Sequence, residues 1–164
     1  MAGMFPTMVA DPNDRNRRYT DGPAEAWPES LRIGYWLVLL AAIVMLLTSM
    51  LMFKVGVPAE IDPDLRGSFT SNMRIVAVGN IVLALALAAF ASYFERGSKN
   101  ARRWASGMIG LTIFLNFAGF YVGVSGWSAF VIVVLLGLAV FFMFRPAANA
   151  FVDHRSGDLW QGVE

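Results

Sequence analysis

Three carboxylates alternate in one polar segment of the chain, at Glu60, Asp62 and Asp64. Acidic groups spaced this closely could hold a cation. A calcium loop, however, needs a glycine and a distant glutamate at fixed positions, and this segment has neither at the required spacing. We therefore interpret the segment as a solvated or docking loop, and the sequence predicts no metal site there.

The other residues that could support catalysis are few. The single histidine, His154, lies in a charged C-terminal segment with no nucleophile motif or second metal ligand near it. The chain has no cysteine, which excludes disulfides, thiolate catalysis and cysteine-ligated iron–sulfur clusters. One histidine cannot supply both ligands of a bis-histidine haem. We therefore expect no enzyme, no catalytic residue and no cofactor, and the net charge of +1 gives no indication of a nucleic-acid partner.

Most of the chain consists of four apolar stretches without a charged residue, at residues 35–53, 75–94, 104–123 and 127–144. As helices rising about 1.5 Å per residue, these stretches would be about 27–30 Å long, which matches the hydrocarbon core of a bilayer. A content of 57% hydrophobic and 15% charged residues is too apolar for an ordinary soluble domain of 164 residues. The sequence therefore predicts an all-α fold, a bundle of four transmembrane helices.

The charged residues set the expected organisation around these spans. We expect an N-terminal tail at residues 1–33 with a short interfacial helix after Pro28, a membrane domain at residues 34–145, and a polar C-terminal tail at residues 146–164. Ten of the 13 lysine and arginine residues lie before the first span, between the second and third spans, or after the fourth. The positive-inside rule then predicts a multi-pass protein with both termini in the cytoplasm and residues 54–74 outside.

Two asparagines interrupt the apolar stretches at a similar depth. Because the second and third spans run antiparallel, Asn80 and Asn116 both lie about 8–11 Å below the outer boundary. Thr48 and Ser49 of the first span reach the same level. An unpaired amide in hydrocarbon costs several kcal/mol, so we predict a polar layer in which the asparagines bond each other or these hydroxyls. Two alternatives are that the asparagines line a solute or quinone site, or that one faces a partner's helix.

Small residues at helical spacing indicate where the spans pack. In the third span Thr112, Asn116, Gly119 and Gly123 share one face, and the last two form a GxxxG pattern. The second span carries a similar stripe that consists of Ala77, Asn80, Ala84, Ala88 and Ala91. Small side chains let helix backbones approach closely. We predict that these two faces meet.

Residues near the span ends and in the tails are candidates for binding. Arg102, Arg103 and Trp104 are expected to anchor the third span at the inner headgroups, where they could contact an anionic lipid. Aromatic residues scattered through short polar tails suit partner binding, because such tails cannot form a core of their own. The candidates for partner docking are Phe5, Trp27, Phe151 and Trp160.

Two segments carry a family resemblance. Residues 23–36 (PAEAWPESLRIGYW) and 144–151 (FRPAANAF) resemble segments of small four-helix membrane proteins of actinobacteria. The resemblance implies a bacterial inner membrane and transfers no site residue. In size and in its lack of redox ligands the chain is also similar to the small non-catalytic subunits of actinobacterial respiratory supercomplexes.

These observations lead to one functional expectation and one alternative. We expect a non-catalytic accessory or scaffolding subunit of a larger membrane protein complex, with the respiratory cytochrome bc–oxidase supercomplex as the favoured assembly. Its partners would be membrane lipids and the subunits of that complex. The alternative is a small homo-oligomeric transporter or a lipid- or quinone-binding protein. The chain lacks the acidic residue that a four-helix multidrug exporter needs in its first span.

Overall fold

A computed structural model describes residues 26–161 of the chain, with side chains as far as Ser156. Within that range the protein is helical and has no β-strand, which confirms the all-α expectation. Five helices follow one another, α1 (Glu29–Val55), α2 (Arg66–Ala91), α3 (Lys99–Tyr121), α4 (Trp127–Met143) and α5 (Pro146–Gln161).

Three of these helices, α1, α2 and α3, are each long and apolar enough to cross a membrane. The 17-residue α4 meets this criterion only together with α5, from which it is separated by a bend of 64°. The described chain therefore has three membrane-crossing candidates, or four if this bent pair counts as one span. This composition is that of a membrane protein.

The first four helices form a ring in which each helix packs on two neighbours. α1 packs on α2 and α4, and α3 packs on α2 and on α4. α5 lies across one end of the ring, where it contacts α1, α3 and α4. We call this the α5 end, which also holds the α2–α3 turn. The opposite end holds residues 56–65 and the α3–α4 turn.

The apolar surface of the bundle is divided between a packed core and a broad exterior. Leu87, Ile109 and Leu136 from three helices are fully or almost fully buried in the core. Large apolar side chains on the outer faces remain exposed, with Trp36 at 62% and Phe114 at 70%. Soluble monomers rarely expose a continuous apolar surface of this kind. Hydrocarbon is therefore the solvent that suits the outside of the ring.

The helices extend further than the apolar stretches predict. α2 begins at Arg66 instead of residue 75, so the predicted loop over residues 54–74 shrinks to residues 56–65. The Arg66 guanidinium donates to the carbonyls of Ala59 and Ile61, at 3.1 Å each, and ties this loop to the start of the helix. Charged residues are tolerated in helix turns outside hydrocarbon, so hydropathy marks the membrane portion of a helix and not its ends.

Both predicted tails also contribute helix. Residues 29–32, expected to begin a separate interfacial helix, form the first turn of α1. Residues 146–161, within the predicted polar C-terminal tail, form α5. Pro146 suits the first position of α5, where its missing N–H is not needed.

Close helix contacts involve three glycines of the described helices, Gly34, Gly79 and Gly119. A Cβ added at Gly119 of α3 would lie 2.6 Å from Ser125 Oγ and 3.0 Å from Val76 Cγ2 of α2. A Cβ added at Gly34 of α1 would lie 2.9 Å from Met143 Cγ and 3.3 Å from the Ala139 carbonyl oxygen of α4. The packing role expected for Gly119 therefore has a direct steric basis.

Gly123, the second glycine of the GxxxG pattern, does not pack against a helix. α3 ends at Tyr121, and Gly123 is exposed in the following turn with φ 75°. This left-handed conformation favours glycine. The expectation that Gly123 belongs to the packing face is wrong, because the turn begins before the stripe is complete.

Two glycine substitutions in α3 test the close packing. Gly119→Ala is expected to lower the free energy of unfolding by about 1–3 kcal/mol, because the added methyl overfills the contact. Gly110→Ala is the matched control, since nothing lies within 4 Å of an added Cβ there. Alanine is the better helix former, so the control should be neutral or more stable. Unfolding in a mild detergent measures both, and equal effects would contradict the packing assignment.

Candidate functional site

The two asparagines meet in the middle of the ring. Asn80 of α2 is 0% exposed and Asn116 of α3 is 1% exposed. Asn116 Nδ2 donates to Asn80 Oδ1 at 2.9 Å, and Asn80 Nδ2 donates to Asn116 Oδ1 at 3.4 Å. The amides thus form a reciprocal pair across the α2–α3 contact. Of the expected polar layer, the structure brings these two residues together.

The pair is completed by the backbone of α3. Asn116 Nδ2 also donates to the Thr112 carbonyl at 2.9 Å, and Thr112 Oγ1 donates to the Met108 carbonyl at 2.8 Å. Thr112 is itself 0% exposed. The side-chain polar atoms of Asn80, Thr112 and Asn116 therefore have their hydrogen-bond partners within α2 and α3. This arrangement suits residues that fix the register of two helices better than residues that bind a ligand.

The hydroxyls of α1 do not join this layer. Ser49 Oγ donates to the Met45 carbonyl of its own helix at 2.8 Å. Thr48 is half-buried and lines a cavity at the opposite end of the bundle. Of the two predicted arrangements, the structure has the one in which the asparagines bond each other. Thr48 and Ser49 do not belong to the polar layer, because Ser49 is satisfied within α1 and Thr48 faces the cavity.

A second polar cluster lies at the α5 end and centres on Arg102. Only 7% of Arg102 is exposed. Its Nη1 donates to the Met143 carbonyl at 3.2 Å and to Asn149 Oδ1 at 2.7 Å, and its guanidinium carbon lies 4.8 Å from the centre of the Phe144 ring. The expectation that Arg102 anchors α3 among lipid headgroups is wrong, since its side chain turns inward and joins α3 to the α4–α5 junction.

Further polar contacts hold α5 across the α2–α3 turn. Ser156 Oγ donates to the Gly97 carbonyl at 3.0 Å and accepts from the Lys99 amide at 3.3 Å. Lys99 Nζ pairs with Asp153 Oδ1 at 3.3 Å. Because the ion-paired side chains are 42% and 27% exposed, this pair adds little stability by itself. We call the set of Gly97, Lys99, Arg102, Asn149, Asp153 and Ser156 the α5 clamp.

The clamp requires a glycine in the turn beneath it. Gly97 has φ 68°, in the left-handed region, and a Cβ there would lie 2.6 Å from Arg155 Cβ and 3.4 Å from Phe151 Cε1. The sequence alone does not indicate the clamp, because the partners of Lys99 and Arg102 lie more than 40 residues away and no local pattern joins them.

The expected docking residues have different surroundings. Phe151 is 1% exposed and belongs to the core beneath α5, so it is not a surface for a partner. Trp27 is half-buried and packs edge-to-face on Tyr35, with ring centroids 5.4 Å apart. Phe5 and the side chain of Trp160 lie outside the described residues. Phe151 is buried because α5 is a helix that packs on α1, α3 and α4.

Arg103 and Trp104 remain on the outside of α3. Arg103 is exposed, and Trp104 is 61% exposed. These two residues are therefore available to lipid headgroups, unlike their neighbour Arg102. Within the described residues there is no group of three or more histidine, cysteine, aspartate or glutamate side chains arranged to bind a metal. The exposed Asp62 carboxylate accepts instead from the amide of Asp64 at 3.0 Å.

Comparison with known proteins gives no family assignment. No protein-family model, curated protein or solved structure matches the chain. Its function therefore has to be inferred from its own residues.

A double-mutant cycle tests the asparagine pair. Asn80→Leu leaves the Asn116 amide partly unpaired and is expected to cost about 1–3 kcal/mol of stability. The double variant Asn80→Leu, Asn116→Leu should recover much of this loss, because neither amide then remains without its partner. Coupling between membrane polar groups averages about 0.6 kcal/mol and reaches about 1.7. Thermal or denaturant unfolding of all four proteins gives the coupling, and additive losses would contradict the pairing.

Adjacent arginines provide a matched test of the clamp. Arg102→Met removes two charge-assisted hydrogen bonds, worth about 1.5–3 kcal/mol, and should raise the hydrogen-exchange rates of α5 amides about ten- to hundredfold. Arg103→Met removes the same charge from an exposed position and should leave these rates unchanged. Equal exchange in the two variants would show that Arg102 does not hold α5.

Proposed function

We propose that the protein is a non-catalytic accessory subunit of a larger membrane protein complex. In this proposal α1 to α4 are four transmembrane spans, both termini lie in the cytoplasm, and α5 is a surface helix at the cytoplasmic end. The membrane domain packs against neighbouring subunits, and the α5 end provides a rigid contact for them.

The distribution of charge supports this topology. Ten of the 13 lysine and arginine residues fall on the side of the tails and the α2–α3 turn, which the positive-inside rule assigns to the cytoplasm. The 64° bend before α5, with Asp153, His154 and Arg155 on that helix, is unsuited to continuing through hydrocarbon. α5 therefore fits the membrane surface better than a second half of the fourth span.

The observation on which the proposal mainly depends is the filled interior of the ring. Fully buried apolar side chains, among them Leu87, Ile132 and Leu136, form one core cluster, and the two buried asparagines bond each other. A transporter needs a polar passage, and general acid–base catalysis needs a titratable group next to substrate. An interior of this kind is better suited to maintaining a shape that other subunits recognise.

The nature of the complex rests on resemblance. The segments at residues 23–36 and 144–151 resemble those of small actinobacterial membrane proteins, which favours a bacterial inner membrane. The similarity in size to non-catalytic subunits of respiratory supercomplexes favours the cytochrome bc–oxidase assembly over a cell-envelope lipid machinery. Both are part of the proposal.

A homo-oligomeric transporter or a quinone-binding protein fits the geometry less well. Such a role predicts a cavity that reaches Asn80 or Asn116. The cavity of about 310 Å³ at the opposite end is lined by neither asparagine. A groove between α3 and α4 touches Asn116 but has no room for a water molecule.

Affinity purification of the full chain in a gentle detergent tests the proposal. We expect a stoichiometric membrane partner to be recovered with the tagged wild type, and less of it with Arg102→Met, whose α5 is released. Arg103→Met is the control and should retain the partner. Recovery of the wild-type chain alone, from membranes that contain its native assembly, would contradict the proposed role.

A further inference from the structure

A cavity of about 310 Å³ lies at the opposite end of the bundle, bordered by the end of α1, the start of α2 and the α3–α4 turn. Its lining includes the apolar side chains of Met52, Val55, Phe69 and Met73. Ligand sites in proteins range upward from about 300 Å³. The cavity is therefore at the lower end of the size range of ligand sites.

Two hydroxyl-bearing residues line the same cavity, Thr48 from α1 and Ser128 from α4. In the part of the chain that the structure describes, neither hydroxyl has a hydrogen-bond partner, whereas Ser49 and Thr112 each donate to a carbonyl of their own helix. Both hydroxyls are therefore available to donate a hydrogen bond to an occupant of the cavity. An occupant that combines an apolar chain with acceptor oxygens would satisfy both features of the lining.

The last turn of α1, which borders the cavity, carries a cation. Lys54 is exposed between the lining residues Leu51 and Val55 and forms no ion pair with the side chains described, at residues 26–156. Along α1 it lies about 9 Å beyond Thr48. Exposed Tyr121 (91%) and Trp127 (83%) flank the neighbouring α3–α4 turn, and such residues mark the headgroup level of a bilayer.

We propose that this cavity binds one glycerophospholipid of the surrounding leaflet. Its glycerol backbone and the first methylenes of its acyl chains fill the space, its ester oxygens accept hydrogen bonds from Thr48 and Ser128, and its phosphate pairs with Lys54. The acyl chains continue into the hydrocarbon beyond Thr48. Thr48 lies deeper than Lys54 along α1, which follows the order of ester and phosphate in such a lipid. The site lies at the end away from α5 and does not depend on the proposed accessory role.

Native mass spectrometry of the full chain tests lipid retention after reconstitution with phosphatidylglycerol and extraction in mild detergent. The wild type is expected to keep one lipid per chain. Val55→Trp places bulk in the cavity from a residue that is 73% exposed, and retention should fall at least tenfold. Leu47→Trp adds the same bulk to an outer face of α1, at a residue that is 56% exposed, and should leave retention unchanged.

Two further variants test the polar contacts. Thr48→Val removes one hydroxyl at nearly constant volume and should weaken retention about fivefold, the value of one hydrogen bond. Lys54→Gln should abolish any preference for phosphatidylglycerol over phosphatidylcholine. Unfolding temperatures establish that each variant is folded. No retained lipid in the wild type, undiminished retention in Val55→Trp, or an equal loss in Leu47→Trp would overturn the proposal.

Discussion

Hydrocarbon offers no hydrogen-bond partners, so each polar group that this bundle buries must find one inside the protein. The asparagine pair does so across two helices, while Ser49 and Thr112 use carbonyls of their own helices. Three buried side-chain atoms of the described chain remain without a partner, Trp27 Nε1, Ser30 Oγ and Ser125 Oγ. They lie near the start of α1 and in the turn before α4, close to the ends of the ring, where headgroups and water replace hydrocarbon.

The same constraint explains why the one strongly buried arginine of the described chain lies at the α4–α5 junction. Arg102 donates to the carbonyl of Met143, the last residue of α4, where the helix dipole is negative and the carbonyls lack helical partners. Asn149 Oδ1 and the face of Phe144 complete its surroundings. A planar guanidinium can serve two acceptors and stack on a ring together, which a lysine ammonium cannot do as well. The arginine thereby helps to fix the angle between α4 and α5.

Periodicity and hydropathy predict the helical class, the approximate position of the apolar stretches and the meeting of Asn80 with Asn116. The sequence predicts these features because each depends either on the local spacing of apolar residues or on the depth of a residue along two antiparallel helices. The direction of the Arg102 side chain cannot be predicted in this way. An arginine just after the α2–α3 turn can reach either lipid headgroups or the end of a neighbouring helix, and the local sequence does not distinguish the two. Arg102 turns inward because the fold places two acceptors beside it, the Met143 carbonyl at the end of α4 and Asn149 Oδ1 of α5.

The helix boundaries and the directions of the Thr48 and Ser49 side chains could not be predicted from the sequence, for related reasons. A hydropathy pattern stops at the first charge, yet Arg66 extends α2 by bonding carbonyls of the preceding loop. Adjacent residues on a helix point about 100° apart, so the sequence placed Thr48 and Ser49 at one depth without determining which faces the core. Ser49 turns to the core and Thr48 to the cavity.

The unequal lengths of the helices have a structural consequence at the end away from α5. α1 has 27 residues and α4 has 17, or about 40 Å against about 26 Å. A hydrocarbon core of about 30 Å is therefore exceeded by the first helix and not filled by the last. Since α1 and α4 are neighbours in the ring, the short α4 leaves space beside the end of α1, and the cavity lined by Thr48, Val55 and Ser128 occupies this step. A mismatch of this kind favours occupation by a lipid, because the alternative is to expose the apolar walls of the cavity to water at the membrane surface.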